Sequence, residues 1–363
     1  MVWLSGISGI LFATVTAMFC QLASNSRGAI GYSFAVLGFS YLLQMSGASI
    51  DTLTYVSPLG IIMKSQVYVN NYLWPTFVLL ILSIIILFIS FFLNQLRDLG
   101  EGMIPAKPGK SKASKSLLSP IGLSIRLLKN MFIAWAIGLV LLGMSYGSVL
   151  ADAESFLLSS DIFAQAGITN AEQFITMLMS VMSIVAAIPA VMILLKVRSE
   201  EKKGLNEHII SKRVSRTKLL FGYFTLSLIS SISMILFLVL GLWSAAFAVM
   251  PDDPVSFVEL LKSGMVYLPA IWVMIGIATI LLAFLPHRTS IVWIYLGYSV
   301  FAVYLGMLLG LPDWVKKLTP FGHIPQIPTE EMNWNNLIVL SFIFLVLTII
   351  GFIQYRKRDM VYN

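Results

Sequence analysis

The chain has one cysteine, three histidines and little charge: Asp, Glu, Lys and Arg make up 11% of 363 residues, against roughly 25% in soluble domains. With Cys20 alone there is no disulfide framework, and cysteine usage leaves the redox compartment open. His208, His287 and His323 fall in separate loops, so no histidine-rich metal site is expected. No paired carboxylates approach one membrane face, which argues against an enzyme. Gly109-Lys110-Ser111 ends like a phosphate-binding loop, but the glycine that motif needs earlier is Ile104 and no strand precedes it. Hydrolysis of ATP through a Walker-type site of its own is therefore excluded. Ionisable residues are nearly missing from mid-span positions, where ion-coupled carriers keep them. That counts against a secondary carrier.

What the chain has in abundance is apolar sequence, 58% of all residues, where roughly 45–50% is usual. So much apolar surface cannot hide in one aqueous core, and lipid becomes the solvent. Nine runs approach the ~20 residues needed to cross about 30 Å of hydrocarbon: 2–23, 29–48, 74–94, 131–151, 174–195, 219–248, 265–285, 290–311 and 336–354. In lipid each must be helical, because its backbone polar groups need partners within the segment. The short alternating segments of a membrane β-barrel are absent. The expected fold is an all-α polytopic membrane protein with nine transmembrane helices. The first run lacks a basic leader and a small-residue cleavage site, so it does not read as a signal peptide.

Charge sets the orientation. The loops around 24–28, 95–130, 196–218 and 286–289, with the C-terminus, hold 20 of the 24 Lys and Arg; Lys64, Lys262, Lys316 and Lys317 lie opposite. Acids invert the pattern, with 11 of 17 on the other side. Lys and Arg concentrate on the cytoplasmic face, so Met1 is expected outside and the C-terminus inside a plasma membrane of bacterial type. The net charge of +7 is then explained by the membrane face, and no nucleic-acid partner is expected.

An internal repeat organises these spans. Asp51, Ser57-Pro58-Leu59-Gly60 and Arg97-Asp98 recur as Asp313, Thr319-Pro320-Phe321-Gly322 and Arg358-Asp359. The offset is 262 residues, falling to 261 at the arginines. So long a period means two copies of a domain-sized unit. Residues 1–98 correspond to the last three spans of one half, 99–118 form a cytoplasmic linker, and 119–363 make a complete six-span half. The expectation is a twelve-span protein whose front is missing here. Ser119-Pro120 can start a helix, and 119–130 reads either as an interfacial helix or as an ordinary basic flank.

The stretch Lys196–Lys218 is the most charged in the chain. Ser199 is placed to cap a helix with Glu200 and Glu201 in its first turn, where the dipole favours acids. Leu205 and Ile209 would form an apolar ridge on it, and Ser215 could cap the next span. The loop is equally consistent with a knob for a cytosolic partner or a solvated connection. Gly143/Gly147 and Gly306/Gly310 permit close helix contact. Ser227, Ser230, Ser231 and Ser233 could line a path or bond backbone carbonyls.

The string Arg97-Asp98-Leu99-Gly100-Glu101-Gly102-Met103-Ile104-Pro105-Ala106-Lys107-Pro108-Gly109, continued by Ser119-Pro120-Ile121-Gly122-Leu123 and Arg126-Leu127, resembles the mid-chain signature of ABC-2 type exporter permeases. It is most similar to the polyketide-antibiotic exporter branch, which includes tetronasin-resistance-like proteins. Arg198-Ser199-Glu200-Glu201, Gly204, Glu207 and Val214-Ser215-Arg216 resemble the inner loop of that family. The resemblance implies a type V exporter-like permease that moves hydrophobic or amphipathic compounds such as antibiotics. It implies a separate ATP-binding subunit, a dimer, that holds ATP and Mg²⁺, and no cofactor or metal on this chain. Arg198, Glu200, Glu201, Gly204, Leu205, Glu207, Ser215 and Arg216 would form the coupling element docked on that subunit. The first-half counterpart of this loop is missing, and no substrate-binding residue is indicated. The alternative is an antibiotic-sensing or immunity subunit that does not itself transport.

Overall fold

The computed structural model describes residues 2–46, 51–98, 101–104, 112, 114, 117, 119–150, 170–205, 214–250, 255–306 and 309–358. All regular structure among them is helical. The chain divides into two compact units, Met1–Ser111 and Lys112–Asn363.

The first unit holds α1 (Val2–Leu22), α2 (Ser26–Ser46), the short α3 (Asp51–Val56) and α4 (Pro58–Met63), and α5 (Trp74–Leu96). Its small core joins Leu4 and Leu11 of α1, Ile61 of α4 and Leu79 of α5. Ser57 caps α4, its hydroxyl accepting from the Gly60 N–H at 3.2 Å, with Pro58 at the first helical position. A Cβ on Gly60 would overlap the Thr54 carbonyl, so α3 and α4 pack backbone to backbone there.

The second unit holds α6 (Pro120–Gly147), α7 (Ala171–Lys202), α8 (Arg216–Val249), α9 (Phe257–Met265), α10 (Leu268–Phe284), α11 (Ile291–Val300), α12 (Asp313–Lys317) and α13 (Trp334–Lys357). A 3₁₀ turn at Pro286–Arg288 separates α10 from α11, and Phe301–Leu305 continue α11 as a π turn. α7 lies at the centre: Ser183, Ile184, Ala186, Ala187, Ala190, Val191 and Leu194 are fully buried. α6 and α8 meet through glycines, since a Cβ on Gly143 or Gly147 would overlap the carbonyl of Leu238 or Leu242, and one on Gly241 that of Val140. Among the described residues Gly306 makes no such contact, and Gly310 serves a turn at φ +61°.

The repeat is visible in local geometry. Thr319 caps the 3₁₀ turn Pro320–His323 by accepting from the Gly322 N–H at 3.1 Å, as Ser57 does for Gly60. A Cβ on Gly322 would overlap the Lys316 carbonyl, and Lys316 stands 262 residues after Thr54. Both close approaches therefore occur at matching positions.

Among the described residues, seven helices are long and apolar enough to cross a membrane, where nine were expected. They make this a multi-pass membrane protein. α2 has 21 residues but interleaves Ser26, Arg27, Ser33, Ser40 and Gln44 with its apolar positions. Of the eighth expected span, Ile291–Leu305 form a shorter apolar helix among the described residues. Pro120–Gly147 is one unbroken helix, so the stretch 119–130 is continuous with the following span. Nothing in Leu123–Ile137 breaks a helix.

Candidate functional site

Ionisable groups gather where α7, α8 and α13 end. α7 has 32 residues, about 48 Å of helix, and so outruns the ~30 Å hydrocarbon thickness. Its last turns continue through Lys196–Lys202, whereas the sequence placed a new helix start at Ser199. Ser199 therefore caps nothing, and Glu200 and Glu201 sit in a last turn, where the helix dipole opposes them. The helix continues because no breaker intervenes before Gly204, whose φ of +67° ends it.

Nearby cations offset that unfavourable placement. Lys196 Nζ lies 3.0 Å from Glu200 Oε1. Glu201 is 0% exposed, and its Oε2 accepts from Arg358 Nη2 at 2.6 Å, with Arg198 Nη1 at 3.6 Å. Arg198 itself donates from Nε to the Pro286 carbonyl at 3.0 Å, and its Nη2 lies 3.5 Å from His287 Nδ1. Arg216 Nη1 donates to the Arg358 carbonyl at 3.0 Å, and the Arg358 guanidinium lies 4.8 Å from the Tyr355 ring centroid. One buried carboxylate thus ties α7, α8, α13 and the Pro286–Arg288 turn together. Taking a carboxylate out of water is costly unless it is paired and hydrogen-bonded, so these four elements hold one another in register.

Beyond the network lies an exposed rim of Lys202, Lys203 and Leu205 around the half-buried Gly204. Ser215 caps α8, accepting from the Lys218 N–H at 3.2 Å. Of the eight residues expected to couple, Arg198, Glu201 and Arg216 converge on the interior network, and Glu200 pairs with Lys196 on its own helix. Gly204 and Leu205 form the rim and Ser215 is a cap. Glu207 lies outside the described residues, as does Ile209 of the expected ridge. A body approaching this end meets the rim, while the buried groups set the rim's position. Arg358, Tyr355, Pro286 and His287 belong to the network and were not among the expected residues. The repeat had marked Arg358 by pairing it with Arg97, but its partner on α7 has no sequence signal.

Of the four α8 serines, Ser227, Ser231 and Ser233 bond to backbone, whereas the buried Ser230 Oγ has no hydrogen-bond partner among the described residues. Ser227 donates to the Ala190 carbonyl on α7 at 2.6 Å, Ser231 and Ser233 donate to carbonyls one turn back, and Trp272 donates to Ser231 Oγ at 3.1 Å. Among the described residues no group of three or more His, Cys, Asp or Glu could hold a metal.

Comparison with known proteins adds two findings. The family model described as "Multidrug efflux system permease Rv1217c, C-terminal domain" matches residues 117–356. The multidrug efflux system permease protein Rv1217c of Mycobacterium tuberculosis (strain ATCC 25618 / H37Rv) is 29% identical over 360 residues, covering 97% of this chain and 66% of that protein. The chain thus spans just under two thirds of the length of the curated relative it matches.

Proposed function

Since the chain belongs to the family of the multidrug efflux system permease Rv1217c, we propose that it is the membrane-spanning permease of an efflux system for hydrophobic or amphipathic compounds. It is of the ABC-2 type, and a separate ATP-binding subunit holding ATP and Mg²⁺ supplies the energy. The observation that carries this reading is the Glu201 network, which joins the Lys202–Leu205 rim to α8, α13 and the Pro286–Arg288 turn.

A force applied at the rim passes through Glu201 to three further elements. Burial excludes water from these contacts, so the charges attract more strongly than they would in solvent. ATP-driven movement of the partner would press the rim, and the joined helix ends would shift together. Leu205, 43% exposed, is the apolar contact, while Lys202 and Lys203 provide positive charge for an acidic groove.

The test places Leu205→Asp in the chain and co-expresses it with an ATP-binding subunit that co-purifies with the unsubstituted chain. The expected result is normal membrane insertion, loss of co-purification with that subunit and loss of drug efflux. Efflux by purified protein without any nucleotide-hydrolysing companion would overturn the reading.

A further inference from the structure

We propose that α7 bends at Pro189 and that the bend admits water into the seam between α7 and α8 at Ser183 and Ser230. Pro189 stands in the interior of α7. It has no N–H to give the Val185 carbonyl one turn back, and its ring crowds that carbonyl, so the helix is weakest there. On the rim side of Pro189 the helix is tied down. Ser227 of α8 donates to the Ala190 carbonyl at 2.6 Å, and the Glu201 network holds the end. On the other side stand two hydroxyls, Ser183 on α7 and Ser230 on α8, each 0% exposed. Among the described residues neither has a hydrogen-bond partner.

Helical periodicity puts both hydroxyls on the seam. Ser183 is two turns from Ala190 along one face of α7, and Ser230 is one turn from Ser227 along one face of α8. The bond from Ser227 to Ala190 sets the register of these two consecutive spans. Measured outward from that bond, Ser230 stands about 4.5 Å along its helix and Ser183 about 10 Å along its own. A serine inside a helix ordinarily donates to a carbonyl one turn back, as Ser231 and Ser233 do. Ser183 and Ser230 do not, and a dry hydroxyl without a partner is unfavourable where alanine would not be. Water in the seam removes that cost. α8 is the fixed side, because its glycine contacts hold it backbone to backbone against α6. α7 faces it with Ala186, Ala187 and Ala190, whose small side chains leave little to hold the seam shut.

A thiol reacts as its thiolate, so a cysteine in the seam reports the arrival of water. The test uses the full chain in nanodiscs, with Cys20→Ser as background and methanethiosulfonate-ethylammonium as the probe. Ser183→Cys and Ser230→Cys are compared with Ala278→Cys on α10, a position that is also 0% exposed. Both seam positions should react at least tenfold faster than position 278. Adding Pro189→Ala, which restores the missing N–H, should bring them to within twofold of it. Reaction no faster than at position 278, or rates that Pro189→Ala leaves unchanged, would overturn the proposal. A measurement on the unsubstituted chain covers the case in which Pro189→Ala does not fold. The amides of Ala190 to Met192, whose helical hydrogen bonds span the hinge, should exchange with deuterium at least tenfold faster than those of Ile193 to Val197. Equal protection of the two sets would also overturn it. No outcome depends on efflux or nucleotide, so the proposed function stands or falls separately.

Discussion

Glu201 illustrates how much one side chain can hold. Removing one partner of a buried ion pair typically costs 3–5 kcal/mol, because the other charge stays buried and uncompensated. Arg358→Ala should therefore lower the unfolding free energy in detergent by about that amount, and Glu201→Ala should do much the same. The double variant Glu201→Met with Arg358→Leu should recover most of the loss, as apolar replacements of buried pairs often do. Denaturation followed by tryptophan fluorescence measures all three, and a cost below about 1 kcal/mol for Arg358→Ala would reduce the pair to the worth of a surface contact. Lys316 gives a pH-dependent case outside the spans. Burial pushes its ammonium below the ordinary lysine value, against the opposing pull of Glu330 and Asp313. A base with a lowered folded pKa costs stability while protonated, and the cost fades as pH rises toward the unfolded value. Lys316→Met should then stabilise the protein at neutral pH and lose that advantage at strongly alkaline pH, as read from melting temperature against pH. At this scale sequence reading located the charges but not their partners. Glu200 and Glu201 stood out as an acidic pair, yet their assignment to a first turn missed the continuity of α7. Which cation neutralises Glu201 depends on tertiary packing that brings residue 358 to residue 201.

Helices were far more legible than their ends. Apolar run length alone located the five spans of the second unit that cross as full-length helices, since lipid leaves the backbone no other option. Boundaries moved because helices outrun the hydrocarbon: α6 starts 11 residues before the expected span, and α7 extends to Lys202. Gly143 and Gly147 were recognisable as a small-residue pair, but their partner Gly241 on α8 was not, because close approach needs only the absence of a side chain. Gly306/Gly310 has the same spacing and makes no such contact among the described residues, so spacing alone does not identify an interface. The three glycines of the α6–α8 contact predict a clear ordering. Gly143→Val and Gly241→Val each place a β-branched side chain against a facing carbonyl oxygen. Each should cost about 1–3 kcal/mol, the usual range for overpacking, while Gly138→Val, with open space around its Cβ position, should cost less. Melting temperatures of the three variants in one detergent would rank them. Equal losses at positions 138 and 143 would show that the helices do not rely on backbone proximity.

At the scale of the whole molecule, the repeat was the most informative sequence feature, and structure gives it a local meaning. Ser57 and Thr319 cap equivalent turns, and Gly60 and Gly322 approach equivalent backbone. Neither observation says which side of the membrane each end occupies; that rests on charge. The 20 Lys and Arg assigned to one side, against four opposite, would all lie outside if the orientation were reversed, against the concentration of Lys and Arg on the cytoplasmic face. The first unit offers a direct check, because α1 ends beside the native Cys20 and the connection from α4 to α5 exposes Val69. A membrane-impermeant maleimide should leave Cys20 unlabelled in intact cells and react with it in inside-out vesicles. In a Cys20→Ser background, Val69→Cys should show the opposite pattern, reacting from outside in intact cells. Labelling of Cys20 from the exterior would place the basic loops outside, and with them the Lys202–Leu205 rim, out of reach of any cytosolic ATP-binding subunit.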